Sequence, residues 1–100
     1  MIGVARKATH ARDTTYVAGC LFRAVAVCVH ALHGRAGRWL IDEKGAVASA
    51  ARLGITPQDF DRRAYDLLAR TGRSETDLIV TLDAAEHLVS DTGTACQPNP

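Results

Sequence analysis

Two side chains in this chain have the types and spacing to act together on a phosphate. Arg23 and His30 are separated by six residues inside the apolar run Tyr16–Leu32. At 100° per residue, a spacing of seven falls about 20° short of two full turns, so the two share one face of a helix, about 10 Å apart along its axis. A histidine so placed could serve as acid and base, and an arginine could hold a phosphate and its developing charge. The alternative is structural. Arg23 then pairs with an acid on a neighbouring helix, and His30 is an ordinary residue near a helix end, where its charge suits the dipole.

A second cluster follows at once. His33, Arg35 and Arg38 lie beside Trp39, so three basic groups accompany one stacking ring. With Arg23 and His30 they form a candidate substrate-binding set for a nucleotide or phosphate. Other motifs carry less. Gly34-Arg-Ala-Gly37 has the GxxG spacing of KH domains, but no predicted strands accompany it. Asp59-Phe-Asp61 has the DxD spacing of metal-dependent nucleotidyl transfer but falls in the first turn of a predicted helix. No Cys/His pattern suggests a metal site, and no cofactor is expected. Cys20 and Cys28, about 12 Å apart along one helix, cannot bridge. With Cys96 they make three cysteines, an odd count that suggests a reducing, cytoplasmic setting.

These groups need a scaffold, and the sequence predicts a helical one. The chain has 100 residues, enough for one core, and is rich in alanine and arginine. Asp13 or Thr14 opens a long helix over about 13–33 that is apolar nearly all round, so it is expected to be the buried centre, with Gly34 as its terminator. The run is at the short limit for a membrane span, and Arg23 near its middle argues against one. Further helices are predicted over about 43–53, 57–71 and 75–91. Thr56 and Pro57 are expected to start the third, and Ser74 to cap the fourth. Asp59–Arg63 and Asp66–Arg70 are expected to be ion pairs along a helix. The expectation is an all-α four-helix bundle over 13–91, with a flexible arm at 1–12 and a disordered tail at 92–100. Net charge is +1, from a first half at +4 and a second at −3. This imbalance suits an anionic partner, or simply two halves that pack on each other.

The pattern Arg23, six residues, His30 resembles the Arg-x4–6-His motif of the HEPN helical domains. That resemblance implies a metal-independent ribonuclease or toxin component with Arg23 and His30 catalytic. Ala24 departs from it, since the position after the arginine is often polar in active members. Over roughly residues 12–90, and most strongly in the block from Tyr16 through Trp39 to Leu53, the chain resembles the C-terminal helical region of bacterial nucleotidyltransferase-domain proteins of the polymerase-β-like superfamily. There the catalytic glycine-serine loop and metal-binding aspartates lie in a separate α/β domain, and no position here matches them. This resemblance implies a non-catalytic substrate-binding or oligomerising module. Its expected partners are a nucleotidyltransferase domain or a second copy, with nucleotide or RNA as possible ligand. A structural bundle that only self-associates is the third expectation.

Overall fold

A computed structural model describes residues 2–9, 11–38 and 45–98. The described residues form five helices: α1 (Ile2–Ala8), α2 (Thr14–Ala36), α3 (Ala46–Ala51), α4 (Phe60–Ala69) and α5 (Glu75–Ala95). The described residues contain no strand, so the fold is a small all-α bundle. The two long helices, α2 and α5, pack most extensively on each other. α1 lies against both, α4 covers another side of the pair, and α3 bridges α2 and α4.

Each boundary has a local cause. Asp13 caps α2 by accepting a hydrogen bond from the Tyr16 amide at 3.1 Å. α2 does not stop at Gly34. It continues to Ala36, and Gly37 takes the left-handed conformation at φ +69°. The Arg38 amide then donates to the His33 carbonyl at 2.9 Å, and Gly37 to Gly34 at 3.2 Å, closing the helix end. Ser74 caps α5 as expected, accepting from the Asp77 amide at 3.0 Å.

α4 departs from expectation. It starts at Phe60 rather than 57, after Asp59 in a left-handed conformation at φ +58°. Thr56 does not cap it. The Thr56 hydroxyl instead donates to the Ala50 carbonyl at 2.5 Å and ties off the end of α3. The expected pairs along α4 are also rearranged. Arg62 meets Asp59 at 3.2 Å and Asp66 at 3.6 Å, while Arg63 reaches across to Asp91 on α5 at 2.8 Å. Of the second expected helix, residues 43 and 44 lie outside the described residues, as do Leu40 and Ile41.

Both ends of the chain hold more structure than the sequence pattern shows. Ile2–Ala8 is a docked helix where an arm is expected: Ala5 is fully buried, and Arg6 bridges Asp83 at 2.8 Å and Glu86 at 2.9 Å on α5. A seven-residue helix is too short for periodicity to reveal, and tertiary contacts hold it. At the other end, α5 runs to Ala95 and buries Thr92, so the expected tail begins as helix.

The core centres on Leu21, Leu32, Phe60, Leu78, Leu82 and Leu88, all essentially inaccessible. α2 contributes Val17, Cys20, Leu21, Ala24, Val25, Cys28, Val29, Leu32 and His33, one face at steps of three and four. Its other face is uncovered. Phe22 is 62% exposed and Val27 60%, with Tyr16, Arg23 and His30 exposed beside them. The helix is apolar all round but buried on one side only. α2 is also long and apolar enough to cross a membrane, and 44% of its most apolar window is buried by the other helices.

Candidate functional site

The candidate residues divide among three places. Arg23 and His30 do share a face, but it is the outer face of α2 rather than the bundle's centre. The Arg23 guanidinium lies 3.4 Å from Cys20 Sγ, and no described carboxylate pairs with it. The acid on a neighbouring helix, expected as its structural partner, is absent among the described residues. His30 borders a shallow apolar hollow of about 110 Å³ between α2 and α3, with Phe22, Val25, Ala26 and Val47 as its neighbours.

Arg35 points elsewhere. Its Nε donates to the Cys96 carbonyl at 3.1 Å, so it fastens the end of α5 to the end of α2. Trp39 lies outside the described residues.

His33 turns inward and is 2% exposed. Its Nδ1 sits 2.8 Å from the Val29 carbonyl, and its Nε2 sits 2.9 Å from Ser49 Oγ on α3. A carbonyl only accepts, so Nδ1 carries the proton and donates to Val29. In the neutral ring Nε2 is then an acceptor, and the Ser49 hydroxyl donates to it. His33 thus pins α3 to α2 with both nitrogens used. The pair forms part of a cleft of about 450 Å³ that is also lined by Arg38, Arg52 and Ile55.

Ser49 and Arg52 escape sequence reasoning because α3 is six residues of mostly alanine with no motif. Their only sequence signal is that they are the polar positions in an apolar stretch. Two of the three thiols are poorly placed to act as nucleophiles. Cys20 and Cys28 are buried, and burial pushes the Cys28 thiol up from its ordinary value. No group of three His, Cys, Asp or Glu side chains that could hold a metal ion occurs among the described residues. No family model, curated protein or solved structure matches this chain.

Proposed function

We propose that this chain is a non-catalytic helical module that docks on another protein through the outer face of α2, its partner being a nucleotidyltransferase domain. The observation that carries the reading is the exposure of Phe22 and Val27, two large apolar side chains five residues apart, on either side of the strip that holds Arg23 and His30. Apolar surface grouped around basic groups that pair with no described carboxylate is the composition of a recognition patch rather than of an idle surface. The Arg23 charge favours a partner surface that is acidic at its rim. The identity of the partner rests on the resemblance of the Tyr16–Leu53 block.

The test is capture from lysate of the source cells with the wild-type chain and with Phe22→Glu/Val27→Glu, followed by mass spectrometry. Both positions are solvent-facing, so the double variant keeps its helical circular dichroism. The expected result is a nucleotidyltransferase retained by the wild type and lost with the variant. Equal capture by both would overturn the docking face. A wild type that forms a dimer in light scattering, with no transferase captured, would make the partner a second copy.

A second reading has its own observation: Arg23 and His30 are both solvent-accessible on one strip. As a metal-independent ribonuclease, the chain should cleave RNA in EDTA. Arg23→Ala and His30→Ala should each abolish cleavage. Equal cleavage by the double variant would sink this reading.

A further inference from the structure

The geometry points to a separate anion site in the cleft between the end of α2 and α3, where Arg38 and Arg52 together hold a hydrogen phosphate ion over Ser49. The site is independent of the outer face of α2.

The first observation is charge without a counter-charge. Arg38 and Arg52 come from different elements, one just past α2 and the other at the end of α3, and line the same cleft. No carboxylate occurs among its described lining residues. Arg6, Arg62 and Arg63 are each matched to carboxylates, but neither cleft arginine forms an ion pair with a described acid. Two guanidiniums facing one cavity repel each other, and an anion between them removes that cost and accepts their hydrogen bonds.

The ordinary explanation for arginines at helix ends is weak here. Basic residues at a C-terminus usually satisfy its last carbonyls. At α2 two of the last four carbonyls are already taken, His33 by the Arg38 amide and Gly34 by the Gly37 amide. At α3 the Ser49 carbonyl accepts from the Arg52 amide, and the Ala50 carbonyl from Leu53 and from the Thr56 hydroxyl. Neither guanidinium makes an ion pair among the described residues, so both are open to an anion.

The hydrogen-bond direction at Ser49 selects the anion. The Val29 carbonyl places a proton on His33 Nδ1, and with Nε2 as the acceptor of the pair the Ser49 hydroxyl spends its own proton on the ring. Ser49 then offers lone pairs to a ligand. A fully deprotonated oxyanion meets them lone pair to lone pair, whereas hydrogen phosphate can donate its own P–O–H to Ser49 and place its other oxygens on the arginines. Sulfate has the same charge and nearly the same size but no proton, which makes it the discriminating probe.

The experiment is titration of the wild-type chain with inorganic phosphate and with sulfate at pH 7.5 and constant ionic strength, followed by calorimetry or amide shifts. The expected result is saturable phosphate binding, with sulfate weaker by about tenfold, the worth of one hydrogen bond. Arg38→Ala and Arg52→Ala, both at exposed positions, should each weaken phosphate binding by about tenfold or more. Ser49→Ala should bring phosphate and sulfate to equal affinity. No saturable phosphate binding by the wild type, or unchanged affinity in both arginine variants, would overturn the site. Equal affinity for the two ions in the wild type would overturn the role of Ser49.

Discussion

Phe60→Ala will destabilise the fold by about 3–5 kcal/mol, seen as a lower urea midpoint with an unchanged slope. Phe60 is 1% exposed and is the largest fully buried side chain among the described residues. It is also the first residue of α4, immediately after Asp59 has taken a left-handed conformation. The turn thus aims an aromatic ring into the core at the point where the helix begins. Truncation removes the ring's transfer free energy and leaves a cavity that the surrounding core can fill only in part. A domain of this size has about 5–15 kcal/mol in total, so the loss is a large share. Leu68, on the same helix but 42% exposed, is the internal control. Leu68→Ala should cost under about 1 kcal/mol, being close to a surface change. Equal losses at the two positions would contradict the burial pattern of α4.

This difference also shows where sequence periodicity reaches its limit. Phe60, Ala64, Leu67 and Leu68 form one apolar stripe by spacing, yet three of the four are buried and Leu68 is not. On α5 the same occurs, with Leu88 in the core and Val89 at 40% exposure. A stripe fixes the direction a helix faces, but its edge depends on how far the neighbouring helices extend. The same cause explains α2. Its composition is apolar on every side, but the four shorter or partnered elements gather on one side of it, so Arg23 and His30 end in solvent. Local chemistry was better read. Asp13 and Ser74 act as caps because capping needs only a side-chain oxygen and an amide three residues on. Thr56 fits the same pattern but finds the Ala50 carbonyl closer at hand, a tertiary fact. The cleft was the least legible feature. His33 and Ser49 are sixteen residues apart, and only the packing of α3 on α2 brings them together.

Gly72→Ala is the second large effect, with an expected loss of about 2–4 kcal/mol from two separable sources. The first is conformational: Gly72 sits at φ +78°, where a side chain costs about 1–2 kcal/mol. The second is steric. A Cβ at Gly72 would lie 2.5 Å from the Asp77 Cβ and 2.8 Å from its Oδ2, so the backbone must move. It cannot move freely. The Gly72 carbonyl accepts from the Thr14 hydroxyl at 3.0 Å at the start of α2, and the Asp77 amide is held by Ser74. Displacing Asp77 therefore strains the cap that begins α5. Gly37 separates the two sources, because it has φ +69° but open space where a Cβ would go. Gly37→Ala should show the conformational cost alone, about 1–2 kcal/mol. The steric part is isolated by a double-mutant cycle with Asp77→Gly, since an alanine at 77 would keep the offending Cβ. Gly72→Ala/Asp77→Gly should lose less than the sum of its two single variants, by about 1 kcal/mol or more in denaturant unfolding. Strict additivity, together with equal losses at Gly37 and Gly72, would mean that the loop into α5 can relax. The close approach of Gly72 to Asp77 would then not hold the register between the end of α4 and the start of α5.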